Sequence, residues 1–455
     1  MIIRFILFLL IYNVGCTNAA EKNVYINPDS QDGSERKGTV ENPYLSLDEV
    51  KLESNTNYYI RRSTRLILSR PLQIHGIQNV SFSAYGKGNN PVVLVQSLPK
   101  PLDIYHSQQI KIENLKIQGT GTNIFGVRIS GQSNDITIES CNIENALWGL
   151  RLMGRSNQEP LKNIKVKNTT IQNIGDDGIF AMHVSGLMVD SCNINKVNQK
   201  WFYAGKTESQ APGDAIQLEK CYDFTIQNSQ LDRTDTGNKF AFIANNSVKG
   251  LIQHNTIKGP SSEGEGGAAI YLGYTSDSID LVSNIIKNSP CAVYTHANNI
   301  TLHRNVLSNN EVGIWLKNTE KALLLNNTFM QNPLAVVGSN VEMFNNIFYS
   351  TTTDRMFKLK EPYKSDYNCF YAEAEYKFFE GYRDFKSYVN STGNDNNSIY
   401  SDPLFTGNTE ERPEYYLEHN SPCIDKGKNI TVKYNPENEY CGNGLDMGAR
   451  EYCKK

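Results

Sequence analysis

From about residue 104 to residue 349 the chain alternates apolar and polar side chains in short bursts, and the bursts recur. One recurring piece is built around a small residue: "FGVRIS", "WGLRLM", "DGIFAM", "DAIQLE", "KFAFIA", "AAIYLG", "CAVYTH" and "VGIWLK". A second follows it, as in "DITIESCNI", "GLMVDSCNI", "NITLHRNVL" and "VEMFNNIF". The second pieces carry Asn142, Asn168, Asn193, Asn228, Asn255, Asn284, Asn305, Asn327 and Asn346 near their ends. Strict alternation is the strand period, so Val127, Leu150, Ile179, Ile216, Ala241, Ile270, Val293 and Ile314 are expected to face one interior. No segment shows the 3.6-residue period of a helical repeat. Units of roughly 20–37 residues cannot bury an apolar face alone and must stack on their neighbours. The expectation is an all-β solenoid of about ten coils, with the Asn amides hydrogen-bonding along its axis at tight turns.

Aligning the units on the small residue sets Gly126, Gly149, Gly178, Ala215, Phe240, Ala269, Ala292 and Gly313 in one column. The preceding column reads Phe125, Trp148, Asp177, Asp214, Lys239, Ala268, Cys291 and Val312. On this alignment Asp177, Asp214 and Lys239 occupy adjacent coils, about 4.8 Å apart. The outward column two residues along holds Arg128, Arg151, Phe180, Gln217, Phe242, Tyr271, Tyr294 and Trp315: polar and cationic first, aromatic later. Carboxylates stacked at that spacing raise one another's pKa, a cost that a purely structural design avoids. Asp176, Asp177 and Asp214 are therefore candidates to hold Ca²⁺, which takes several carboxylate oxygens, or to act as an acid/base set on a glycosidic bond. Lys239 is a candidate general base. The opposing reading is that "GDDG" at 175–178 is turn chemistry. Long insertions at 198–213 and 259–267 are expected to wall a groove over these residues. Trp201 and Tyr203 would offer flat faces to sugar rings there. Arg151 and Arg233 would offer planar guanidinium forks to a carboxylate or sulfate, beside Gln217.

Composition narrows the function classes. Lys and Arg total 45 against 48 Asp and Glu, with no long basic run, so nucleic acid is not an expected partner. Residues 1–20 read as an export signal, with Arg4 ahead of an apolar core and "TNAA" as a small-residue cleavage site. Secretion or a periplasmic location is expected, with lipid anchoring at Cys16 as an alternative. No later stretch is long enough to span a membrane. Cys423, Cys441 and Cys453 crowd the tail, where an oxidising compartment would favour a disulfide. No Cys or His spacing matches a zinc site, and no G-x-S-x-G, P-loop or HExxH is present.

The "NNI.L..N.I..N..GI.L" rhythm over roughly 75–350 resembles the right-handed parallel β-helix of the pectin-lyase-like superfamily. The opening "VYINPDSQDGS" resembles the entry to the cap of its secreted members, and the close "DMGAREY" their C-terminal extension. The implied organisation is a signal at 1–20, a cap and first coils at 21–100, repeats at 101–350, and an extension at 351–455. The superfamily holds polysaccharide lyases, glycoside hydrolases, epimerases and non-catalytic adhesins. The order Asp pair, Asp, Lys resembles calcium-dependent pectate lyases, implying β-elimination of a uronate-containing glycan with Lys239 as base. "GDD" equally resembles the Asp pair of polygalacturonase-type hydrolases, although "NTD", "GHG" and "RIK" are missing. A glycan-binding surface protein using Tyr271, Tyr294 and Trp315 is the third expectation. Capped ends make a monomer the expected state.

Overall fold

The computed structural model describes residues 22–31, 35–95, 102–119, 125–199, 213–233, 240–260, 267–351, 356–372, 381–406, 415–431 and 441–453. Within them the chain winds through three parallel sheets, visiting each in turn. The first face has 15 strands, from Lys22–Ile26 to Tyr363–Asp366; the second has 14, from Arg65–Leu68 to Ile399–Tyr400; the third has 12, from Leu72–His75 to Phe357–Leu359. This is the expected parallel β-helix. It runs past both ends of the 101–350 span, because strands of the first and last coils pair with the repeats in the same register.

Register follows the apolar alternation. Ile136 sits against Ile164 on the first face, Ile143 against Ile171 on the second and Leu150 against Ile179 on the third, all fully buried. A one-residue slip would turn each of these outward, and burying one such side chain is worth about 1.5–3 kcal/mol. The small column has a local cause. A Cβ on Gly149 would stand 2.4 Å from the Gly178 carbonyl oxygen and 2.6 Å from a methyl of Ile171. From Ala215 onward most coils admit an alanine there.

The structure corrects one coil of the sequence alignment. Ile216 pairs with Phe242 and Phe240 with Ala268, so Ala241 is the small residue, Phe242 faces inward and Ile243 outward. The position stacked on Asp214 is consequently Phe240 and not Lys239. "KFAFIA" fits a period of two in either frame, and the fully buried Phe242, against Phe224, fixes the frame observed.

At the corner between the first and second faces, backbone N–H groups leave the sheets and need acceptors. Side-chain oxygens supply them, each accepting from the coil before it. Ser229 N–H donates to Asn255 Oδ1 (2.9 Å), and the series continues through Asn284, Asn305, Asn327, Asn346 and Asn368 at 2.8–3.0 Å. Each amide also donates, as from Asn305 Nδ2 to Leu281 O at 2.8 Å and to Asn327 Oδ1 at 3.0 Å. Asn142, Asn168, Asn193 and Asn228 do not belong to this ladder. In their coils its rungs are Cys141, Thr169, Cys192 and Ser229, while Asn168 and Asn228 occupy left-handed turn positions with φ of 47° and 51°.

The ends are closed. Leu47 and Val50, around a single 3-10 turn at Leu47–Glu49, cover the first coil. At the other end Cys441 and Cys453 form the tail disulfide, while Cys423 is a buried free thiol beside Cys369. No helix among the described residues is long and apolar enough to cross a membrane. The expected signal at 1–20, Cys16 included, lies outside those residues.

Candidate active site at the corner of the second and third faces

Asp176 and Asp177 end the turn that carries the chain into the third-face strand Ile179–Met182, and Asp214 does the same for Ile216–Glu219. Gly178 N–H donates to Asp214 O (2.9 Å) and Ile179 N–H to Ala215 O (3.0 Å), which locks the two turns in register. Although 37 residues separate them in sequence, Asp214 N–H donates to Asp177 Oδ1 at 2.8 Å. Phe240 N–H, in the following coil, donates to Asp214 Oδ1 at 3.0 Å. The two carboxylates thus point along the solenoid axis, each over the coil that follows it.

Asp177 and Asp214 are 3% exposed and Asp176 9%. Burial drives the Asp177 carboxyl well above the usual carboxylate range, and the neighbouring Asp176 and Asp214 push it further. The Asp214 N–H and the Arg151 guanidinium pull the other way without prevailing. Asp177 is therefore a buried carboxyl that holds its proton more tightly than an ordinary aspartate.

Arg151 stands beside these acids on the outer side of the third face. Its guanidinium lies 4.6 Å over the Trp148 ring, 5.2 Å from Phe180 and 5.5 Å from Phe125. Burial lowers its pKa, while Asp177 and Asp176 favour its charge. Arg128 pairs with Arg151 in register and lies 3.8 Å from Asp103, whose other oxygen meets His75 Nε2 at 3.1 Å. The alignment overlooked this His75–Asp103–Arg128 row; its signal was the outward position of Asp103 in "LDIYH", in register with Arg128. Gln217 continues the row between Phe180 and Ile243.

Arg233 is 1% exposed, and its neighbour Asp232 pairs with Lys258 at 3.0 Å. Lys239, Trp201 and Tyr203 lie outside the described residues. Among those residues no group of three or more His, Cys, Asp or Glu side chains is placed to hold a metal ion. Asp177 and Asp214 each commit an oxygen to a backbone N–H. What the corner brings together is a pair of buried carboxyl groups on adjacent coils, groups of the kind that donate and accept protons in acid/base catalysis.

No curated protein matches the chain by sequence. Among solved structures, the A-module of a mannuronan C-5 epimerase from Azotobacter vinelandii is 12% identical, covering 67% of this chain and 86% of its own, with a TM-score of 0.46. A pectate lyase is 11% identical, covering 95% and 97%, with a TM-score of 0.45. A lacto-N-biosidase from Eubacterium ramulus is 12% identical, covering 84% and 67%, with a TM-score of 0.44. At these identities and scores the likenesses carry no argument about chemistry. The family description "Right handed beta helix region" matches residues 102–286 and 241–357, more than half of the chain, and the protein belongs to that family.

Proposed function

We propose that the protein is an exported enzyme that cleaves a polysaccharide laid along the third face, with Asp177 and Asp214 as its acid/base pair. One observation carries this reading: two buried carboxyl groups in adjacent coils, Asp177 with its pKa pushed up by burial, at the edge of an outward row of cationic and aromatic side chains. In hydrolysis two carboxyls on adjacent coils match the closer spacing of the retaining route: Asp177 would protonate the departing glycosidic oxygen while Asp214 bonds the sugar carbon, and water, losing its proton to Asp177, would then release the glycosyl group from Asp214. The export-like stretch at 1–20 supports action outside the cell.

A second reading, β-elimination on a uronate chain, is favoured by Arg151. A guanidinium beside the acids would draw the uronate carboxylate and acidify the carbon next to it. In this version the base is a carboxylate of the corner or Lys239, and no metal is invoked.

The test is a panel of polyuronate, sulfated uronate and neutral glycans, each with Ca²⁺ or with EDTA. Reducing ends are followed alongside the ultraviolet absorbance of an unsaturated product. New reducing ends without absorbance, indifferent to EDTA, are the expected result. Reducing ends with absorbance would move the assignment to β-elimination. Loss of all turnover in EDTA would overturn the metal-free site, and silence on every substrate would overturn catalysis.

A further inference from the structure

We infer that the later coils of the third face form a subsite for an anionic sugar residue, remote from the acids, so that the protein grips a polymer. This deepens the reading above and rests on it for the direction of the chain along the face.

The observation is a ring ladder that begins at the acid site itself. Phe240, whose N–H bonds Asp214, stacks on Tyr271 at 4.8 Å with planes 24° apart. Tyr271 meets Tyr294 at 5.5 Å and 58°, and Tyr294 meets Trp315 at 5.4 Å and 48°. Near-parallel rings hide each other's faces, whereas tilted rings open them to solvent. The exposures follow: Trp315 is 43% exposed and Tyr274 56%. Tyr274 is braced by the His296 ring at 3.9 Å, and burial of His296, with Lys317 nearby, favours its neutral form.

Bare aromatic faces at the far end of a row are expected where a flat apolar surface is to be covered, as the face of a sugar ring covers it. Lys317 supplies the charge. It follows directly on the Trp315 strand, is exposed, and its Nζ stands 6.0 Å from the centre of the Tyr294 ring. Exposed rings beside an ammonium group match a hexose that carries a carboxylate or sulfate. Trp315 is four coils from Asp214, about 19 Å at about 4.8 Å per coil, so one short oligosaccharide cannot occupy both places.

Affinity electrophoresis of the full chain tests this, with polygalacturonate, dextran sulfate or neutral dextran set in the gel. We expect retardation by at least one of the two anionic polymers, the responding polymer identifying the anion, and none by neutral dextran. Trp315→Ala should weaken the interaction about tenfold, with Tyr274→Ala weaker in the same direction. Lys317→Met should do the same while leaving the fold unchanged. Equal retardation of wild type and Trp315→Ala would overturn the subsite, as would no retardation of wild type by either anionic polymer. Equal retardation by neutral dextran, or indifference to Lys317→Met, would overturn its anionic character. Turnover with no Trp315 effect removes the subsite and leaves the catalytic reading standing; retardation without turnover does the reverse.

Discussion

Two corners of this solenoid meet the same backbone demand by different means. Between the first and second faces, neutral amides from Asn255 to Asn368 accept an N–H from the coil before and donate to carbonyl and amide oxygens. An amide has both donors and acceptor, so the pattern propagates for as many coils as the chain supplies. Between the second and third faces, Asp177 and Asp214 accept an N–H from the coil after. A carboxylate only accepts, and two in succession repel one another while losing solvation. Amides at this corner, Asn310 and Asn332, each accept an N–H at 3.1 Å from the coil before, two residues ahead of the position the acids hold. Acids at 177 and 214 therefore cost stability that an amide would have spared, and such a cost marks chemistry more often than architecture.

The contrast breaks most clearly at the acids. Asp177→Asn and Asp214→Asn each keep an oxygen for the backbone N–H, so turnover on the responding glycan should fall by about 10²-fold or more, with unfolding free energy within about 1 kcal/mol of wild type. Reducing-end assays paired with urea titrations decide this, and an Asn variant retaining wild-type turnover would return the acids to architecture. Asn305→Ala should show the opposite profile. It strands the Asn284 N–H and the Leu281 carbonyl in the core, costing about 3 kcal/mol, while specific activity of the folded fraction stays intact.

Smaller effects follow from pH. Asp177 has its folded pKa raised, so the stability tied to its proton is complete below the ordinary carboxylate value of about 4 and is lost as pH climbs through the raised value. Thermal midpoints of wild type should decline over that climb more steeply than those of Asp177→Asn. Buried His303 behaves oppositely: burial pulls it to about 4, so its contribution is present above about 6.5 and drains away as pH falls toward 4. His303→Gln should flatten the acid limb alone. Parallel limbs in wild type and variant would remove His303 from the account.

Much of the fold was legible because period-two alternation and repetition both survive in the sequence, and neither depends on loops. The amide ladder was legible only from Asn255 onward. Earlier coils place Cys141, Thr169, Cys192 or Ser229 on the rung and an Asn one residue away, at a left-handed turn position for Asn168 and Asn228 and at the start of a strand for Asn142 and Asn193. The Asp177–Asp214 adjacency was legible from the repeated "GD". Which residue follows them was not, since an alternating "KFAFIA" offers two frames and only the packing of Phe242 selects one.

The 2.8 Å bond from Asp214 to Asp177 spans a 37-residue detour, while Phe240 reaches Asp214 after 26. The sheets on either side set the register, so the chain between them is free to lengthen at an entropic cost that grows only logarithmically. That corner can therefore take insertions of different lengths while the two carboxyls keep their register.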